Sequence, residues 1–266
     1  NQDYTAYYNS FPPNQIEKWL ELYSHRFQNP VFRLFQSELE TVYEEKNIYM
    51  DNPLNIVIEE ILKNVFKNHP YGQQSVLGKV EHLKNPSLEK MYKFYKDYYV
   101  PNNMVLALSG DFDSEKIIPI INEKFKNWKS GKIPKFPEYK EEPFNKREFF
   151  EKKLTPIKMG ALVVRSPKNG DLDKIKFDMA LQTLYNYEET GFLNKLRDEG
   201  KLMDSGLLKF ENNDHGATLI YFIPKLIGQK LSAAEKIIKN QIEKLKKGDF
   251  SEDFVEALKI NLIKEN

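Results

Sequence analysis

Cysteine is absent from the 266 residues of this chain. Its absence excludes a disulfide framework, a cysteine nucleophile and a thiolate metal site. No stretch approaches the roughly 18 consecutive apolar residues that a transmembrane helix needs, so we expect no membrane span. Lys and Arg number 40 against 39 Asp and Glu, which leaves no overall charge to attract nucleic acid. We therefore expect no nucleic-acid partner.

Signature motifs of several enzyme classes are also missing. The sequence contains no G-x-x-x-x-G-K-[ST], G-x-G-x-x-G or G-x-S-x-G pattern, so phosphate loops and nucleophile elbows have no support. The residue inventory alone leaves a Ser/His/Asp triad open. Neither H-E-x-x-H nor H-x-x-E-H occurs, so the chain lacks a local zinc-binding pair. The four histidines are His25, His69, His82 and His215.

Helical and strand patterns alternate through a chain that is 40% hydrophobic and 30% charged. This composition is typical of a globular protein, and the length predicts about two domains. Three prolines punctuate Lys and Glu residues over 131–146, which predicts a semi-rigid linker. We therefore expect α+β domains at 1–130 and 147–266.

Short β-branched and aromatic runs predict the strands, and apolar residues at helical spacing predict the helices. Asp51-Asn52-Pro53 is typical of a helix start, with a side-chain cap followed by a proline in the first turn. Strands are predicted at 3–9, 104–110, 147–152, 158–165, 204–211 and 216–223. Helices are predicted at 14–28, 31–50, 54–66, 87–99, 114–128, 177–184, 192–199, 231–246 and 251–264.

The helix predicted at 31–50 contains the most informative acidic pattern. Glu38 and Glu45 are seven residues apart, so they lie about 20° apart around the helix axis. The spacing predicts that both border the apolar stripe, while Glu40 and Glu44 point to solvent. Two carboxylates beside a buried face need a cation, a metal or a hydrogen-bond donor. From spacing alone, a pair of boundary glutamates answered by Lys or Arg remains the alternative.

Six segments occur in a specific order: Thr5-Ala6-Tyr7-Tyr8, His25 to Pro30, Glu38 to Glu45, His69-Pro70-Tyr71-Gly72, Tyr98 to Met104 and Ser109-Gly110-Asp111. Together these segments resemble the pitrilysin/insulysin family of zinc metallopeptidases, which includes the mitochondrial processing peptidases. Their order and spacing are more specific than any single segment, and they cover most of the predicted first domain. The second domain resembles the next domain of the same family. The resemblance implies an α+β fold of two consecutive metallopeptidase-type domains, with helices packed on mainly antiparallel sheets.

The resemblance implies a role for each of the two aligned glutamates. In the family, an H-x-x-E-H helix supplies two zinc ligands and the general base, and a later helix supplies a third ligand. That match places the third zinc ligand at Glu45 and an accompanying catalytic-site glutamate at Glu38. The H-x-x-E-H motif would precede Asn1, so we expect the chain to be part of a longer protein. One carboxylate cannot hold Zn²⁺ alone, and we expect this chain to bind zinc weakly and to be inactive.

The resulting hypothesis is a fragment of a zinc-dependent metalloendopeptidase that hydrolyses peptide bonds. The resemblance implies a peptide substrate and a chamber closed by a second half of the chain or by a partner subunit. The alternative is a non-catalytic homologue that serves as a peptide-binding or scaffold subunit. The sequence predicts neither the cleavage preference nor the compartment, although a bacterial envelope or secreted location fits the analogy.

Overall fold

The computed structural model of the protein describes residues 1–154 and 156–265. Helices predominate in this part of the chain, and none of them has the length and apolar character needed to cross a bilayer. The helices are α1 (Ile16–Gln28), α2 (Phe35–Asp51), α3 (Pro53–Val65), α4 (Pro70–Gln73), α5 (Val80–Lys84), α6 (Leu88–Tyr98), α7 (Ser114–Phe125), α8 (Lys174–Leu184), α9 (Phe192–Asp198), α10 (Leu231–Lys247) and α11 (Glu252–Glu265).

The described residues form one antiparallel sheet of three strands. Its strands are β1 (Gly160–Ser166), β2 (Asp204–Glu211) and β3 (Gly216–Ile223), in the order β1-β3-β2. The central strand pairs Ile220 with Leu162 on one side and with Leu207 on the other. The α+β class expected from the sequence is confirmed.

Contacts divide the chain into two compact units. The sheet unit comprises Asn1–Asp3, Asn52–Gln73 and Glu141–Asn266, and the helical unit comprises Tyr4–Asp51 and Gln74–Lys140. Helices α3 and α4 therefore group with the residues that follow the proline-rich segment. The domain boundaries at 1–130 and 147–266 stay a prediction.

Both faces of the sheet are covered within the sheet unit. Alternating side chains explain this, because successive residues of a strand point to opposite faces. Ala217 and Leu219 pack on one face against Ile61, Val65 and Phe66 of α3 and its C-terminal end. Ile220 and Phe222 of the same strand point to the other face, where they pack against a cluster from α8, α9 and α10. That cluster includes Leu184, Leu193, Leu196, Ala234 and Ile238.

The helical unit has a smaller core. Ile16 and Leu20 of α1 pack against Ile117 of α7, with half-buried side chains around them. The cap predicted at the start of α3 is confirmed in the sheet unit, where the Asn52 side chain accepts a hydrogen bond from the Leu54 N–H at 3.0 Å.

Three predicted strands are not strands in the described residues: 3–9, 104–110 and 147–152. Strand structure requires a hydrogen-bonded neighbour, and none of these segments has one within residues 1–154 and 156–265. By contrast, β2 and β3 begin and end where the sequence predicts. Short α5 and α4 were not predicted as helices, since four or five residues are too few to show a helical period.

Candidate functional site

The glutamates identified from the sequence lie on α2 in the helical unit. This helix forms because its apolar residues recur at helical spacing, and Phe35, Leu39 and Val42 are half-buried along one stripe. Glu38 and Glu45 lie outside that stripe, and both are exposed. Within the described residues, neither carboxylate has a hydrogen-bond or ion-pair partner.

The sequence predicts that Glu38 and Glu45 border a buried face and that Glu40 and Glu44 point to solvent. This predicted difference in burial is wrong. Glu40 and Glu44 are exposed as well, and Glu40 accepts a hydrogen bond from the Gln36 side chain at 3.0 Å. The apolar stripe is only half-buried, so its edges are not covered and all four carboxylates reach solvent. The seven-residue alignment of Glu38 and Glu45 remains, but burial does not distinguish them.

The buried charge of α2 is Lys46, the residue that follows Glu45. Its side chain is 5% exposed, and its ammonium group donates a hydrogen bond to the Ser75 hydroxyl at 3.0 Å. Ser75 in turn donates to the Gly78 carbonyl oxygen at 3.2 Å, within a turn where Gly78 has φ 77°. A β-branched or bulky residue would be strained at that angle. The sequence offered one signal that was missed, because Lys46 continues the stripe four residues after Val42.

The residues present do not fit a zinc ion. A zinc site in a protein needs three or four Cys, His, Asp or Glu ligands around one point. No group of three such residues converges anywhere in 1–154 or 156–265. Glu45 supplies one exposed carboxylate, and the exposed His25 and His82 are not grouped with it. The chain by itself therefore offers no metal centre through which a reaction step can be written.

A separate polar cluster lies in the sheet unit around the His-Pro-Tyr-Gly segment. His69 is 1% exposed, and its Nε2 lies 3.3 Å from a carboxylate oxygen of Asp214. Its Nδ1 accepts a hydrogen bond from the Tyr71 N–H at 3.2 Å, which makes Nε2 the protonated nitrogen facing Asp214. Burial lowers the pKa of His69, and the hydrogen bond to Asp214 opposes that shift only in part. His69 is therefore neutral at pH 7.

Tyr71 extends the same cluster toward the N-terminus. Its phenol donates a short hydrogen bond to the Asp3 carboxylate, and the phenol oxygen accepts one from the Asp214 N–H at 3.3 Å. Burial, followed by the hydrogen bond to Asp3, raises the pKa of Tyr71 far above its usual range. The second oxygen of Asp3 accepts from the Asn213 N–H at 3.0 Å. These bonds hold the turn between β2 and β3 and make the cluster a structural one.

Glu141 anchors the proline-rich segment to this cluster. Its carboxylate, which is 2% exposed, accepts hydrogen bonds from the backbone N–H groups of Lys67, Asn68 and His69 at 3.1, 2.7 and 2.7 Å. The Arg165 guanidinium of β1 donates to it at 3.0 Å and also donates to the Val65 carbonyl oxygen at the end of α3. The carboxylate thus stabilises a turn from which three backbone donors point the same way. No local pattern reveals this role, because its partners are distant in sequence.

A family model described as the peptidase M16 inactive domain matches residues 86–262, about two thirds of the chain. The chain belongs to the peptidase M16 family. The resemblance to pitrilysin/insulysin-type zinc metallopeptidases is thereby confirmed. The matched part begins after α2, so it does not include Glu38 or Glu45.

Individual M16 relatives cover more of the chain at low identity. A protein named zinc protease PqqE from Helicobacter pylori is 23% identical over 97% of this chain and 60% of its own length. An uncharacterized zinc protease, YmfH, from Bacillus subtilis is 32% identical over 62% of this chain and 37% of its own length. This M16 chain thus spans between about a third and three fifths of those relatives.

A solved structure supports the fold. The first half of the periplasmic protease PqqL from Escherichia coli superimposes with a TM-score of 0.75 at 15% identity, covering 97% of this chain and 57% of that one. At that identity the likeness concerns the fold alone. The two sequence relatives are named zinc proteases, and the family model places the chain in the same peptidase family.

Proposed function

We propose that this M16 chain is part of a zinc-dependent metalloendopeptidase. In that enzyme, α2 supplies Glu45 as a zinc ligand and Glu38 as a neighbouring glutamate that orients a ligand. The observation that carries the proposal is the pair of exposed carboxylates aligned seven residues apart on α2 of an M16 chain. An exposed carboxylate without a protein partner can bind a cation whose other ligands come from residues outside this chain. The names of the relatives, zinc proteases, favour zinc as that cation.

The contribution of this chain is positional, because it lacks a complete ligand set. Lys46 and Ser75 fix the C-terminal half of α2, so Glu45 projects from a held backbone. Peptide substrate, and a second half of the chain or a partner subunit that closes a chamber, belong to the same proposal. The structural neighbour described as the first half of a protease supports a two-half arrangement.

The test compares four single substitutions in the full-length parent protein. We expect Glu45→Gln to abolish peptidase activity and to lower the zinc content, because it removes a charged ligand. Glu38→Gln should keep the fold and lose about 10–100-fold in metal affinity or activity, the usual effect of a residue that orients a ligand. Zinc content by atomic emission and peptide hydrolysis are the measurements.

Glu40→Gln and Glu44→Gln are matched controls, because all four glutamates are exposed on the same helix. We expect both controls to retain zinc and activity. A loss shared by all four variants would indicate a general effect of acidic surface and would contradict the proposal. Inactivation by Glu44→Gln with zinc retained in Glu45→Gln would show that the assignment is one residue out of register.

A non-catalytic homologue is the second candidate, and one observation favours it. The family model that matches most of the chain describes an inactive domain. In that case the fold serves peptide binding or scaffolding, and α2 carries its glutamates without a metal. The sequence of the parent upstream of α2 decides between the two candidates, since an H-x-x-E-H motif there favours the peptidase and its absence favours the scaffold.

A further inference from the structure

A turn at one end of the sheet carries two apolar side chains into solvent. Residues 224–230 read Pro-Lys-Leu-Ile-Gly-Gln-Lys and connect β3 to α10. Leu226 is 71% exposed and Ile227 is 90% exposed. On either side of the turn the chain is held, because Phe222 is buried in the core of the sheet unit and Leu231 packs against that core. The two exposed side chains therefore project from a turn with anchored ends.

Hydrogen bonds fix the shape of this turn. The Gln229 side chain accepts a hydrogen bond from the Lys225 N–H at 2.7 Å and donates one to the Lys201 carbonyl oxygen at 3.0 Å. Gly228 allows the chain to reverse, because its φ of 79° lies in the left-handed region that favours glycine. An ordered turn loses little conformational freedom when it contacts a surface.

The charge around the turn is positive. Lys225 and Lys230 flank the two apolar residues, both are exposed, and neither ammonium group has a carboxylate partner in the described part of the chain. Lys201, in the neighbouring segment, pairs with Glu199 at 2.5 Å. No acidic residue occurs in the sequence 222–234. The exposed apolar pair thus lies in a locally cationic surface.

The opposite end of the sheet shows a different combination. Leu172 follows β1 and is 94% exposed, but the exposed carboxylates of Asp171 and Asp173 flank it. Because β1 and β3 are antiparallel, the residues after β1 and those after β3 lie at opposite ends of the sheet. An exposed apolar side chain occurs at each of these ends, with lysines beside it at one and carboxylates beside it at the other.

We propose that the 224–230 turn docks the parent protein on the surface of an anionic phospholipid bilayer. Leu226 and Ile227 enter the boundary between headgroups and acyl chains, and Lys225 and Lys230 lie beside the lipid phosphates. Apolar side chains together with cationic ones are the combination that binds such a surface. A protein partner is less favoured, because a stable protein interface buries about 1,200 Å² or more and two side chains cover little of that area. The inference goes beyond the proposed peptidase and does not depend on zinc.

Flotation of the full-length parent with vesicles tests this proposal. The parent should bind vesicles of equal parts phosphatidylglycerol and phosphatidylcholine at least about tenfold more tightly than vesicles of phosphatidylcholine alone. Added salt should reduce this difference, because it screens the attraction between lysine and anionic lipid. Failure to bind the anionic vesicles would overturn the proposal, and so would equal binding to both kinds of vesicle.

Substitutions separate this turn from any other surface of the parent that binds lipid. Ile227→Asp places a carboxylate against the anionic bilayer and should weaken binding at least about tenfold, whereas Ile227→Leu should leave it unchanged. Leu172→Asp is the matched control, since it introduces the same charge at an exposed leucine at the other end of the sheet, and it should not affect binding. Equal effects of Ile227→Asp and Leu172→Asp would contradict the proposal.

Hydrogen exchange distinguishes a bilayer from a protein occupant. The amides of Leu226 and Ile227 should exchange rapidly in the parent alone and at least about tenfold more slowly when anionic vesicles are added. Slow exchange without vesicles would show that another part of the parent, or a second copy of it, covers the turn, and would overturn the proposal.

Discussion

The sheet unit and the helical unit differ in how completely they bury their own apolar surface. In the sheet unit, both faces of the three strands are covered. Side chains of β3 pack into one apolar core on each face. In the helical unit, a core of α1 and α7 stands beside an apolar run that is exposed at Val105 and Leu106. The difference teaches that an apolar pattern alone does not decide strand formation, since apolar runs form strands in the sheet unit, whereas the apolar run at 104–108 of the helical unit is not a strand in the described residues.

The largest expected effect is the loss of a core side chain in the sheet unit. Phe66 is fully buried between α3 and the sheet, so Phe66→Ala should lower the free energy of unfolding by about 3–5 kcal/mol. Urea denaturation followed by circular dichroism measures the change. Leu22→Ala in the helical unit is the control, because Leu22 is 59% exposed, and it should change stability by less than about 0.5 kcal/mol. Equal losses would contradict the assigned core.

The second effect concerns the buried carboxylate of Glu141. In Glu141→Gln, an NH2 group that cannot accept a hydrogen bond replaces one of the two carboxylate oxygens, each of which accepts from at least one backbone N–H. The Arg165 guanidinium also loses its counter-ion. We expect a loss of about 2–4 kcal/mol, the range for an uncompensated buried charge or donor. Glu138→Gln is the control, since Glu138 is exposed in the same segment. A loss of the same size in both variants would rule out a specific anchor.

The third effect is a dependence of stability on pH. Burial lowers the pKa of His69 in the folded chain, so below about pH 6.5 the unfolded chain binds a proton that the folded chain does not. Stability should therefore fall as the pH drops below 6.5, by at most about 1.4 kcal/mol per pH unit from this group. Melting temperatures between pH 8 and pH 5 measure it. His69→Gln should flatten the profile, and the exposed His82→Gln should not.

The smallest effect leaves stability unchanged and concerns chain cleavage. Residues 132–140 are mostly exposed, whereas Gly131 exchanges two hydrogen bonds of 3.0 Å with the Asn102 side chain, and Glu141 is anchored. Trypsin should therefore cleave first after Lys132 or Lys135. This result would agree with the domain boundary proposed at 131–146. First cleavage within 31–66 would contradict both that boundary and the helices α2 and α3.

Local pattern was sufficient for much of the fold. The strands β2 and β3 were predicted with their bounds, because turn residues separate two alternating runs, and Asn52 was predicted as a cap. The strand predicted at 104–110 is wrong for the described residues, because an apolar run does not show whether a neighbouring strand lies beside it to pair with it. The buried states of Glu141 and His69 depend on contacts across roughly a hundred residues, as with the 145 residues between His69 and Asp214. The roles of Glu38 and Glu45 rest on family resemblance and stay predictions.

The packing of α3 has a consequence for synthesis on the ribosome. Its apolar residues Ile61, Val65 and Phe66 pack against Ala217 and Leu219, which are translated about 150 residues later. At a translation rate of roughly 5–20 residues per second, α3 is synthesised on the order of ten seconds before β3. During that interval the apolar face of α3 is exposed, so we expect the nascent chain to need a chaperone that covers this face.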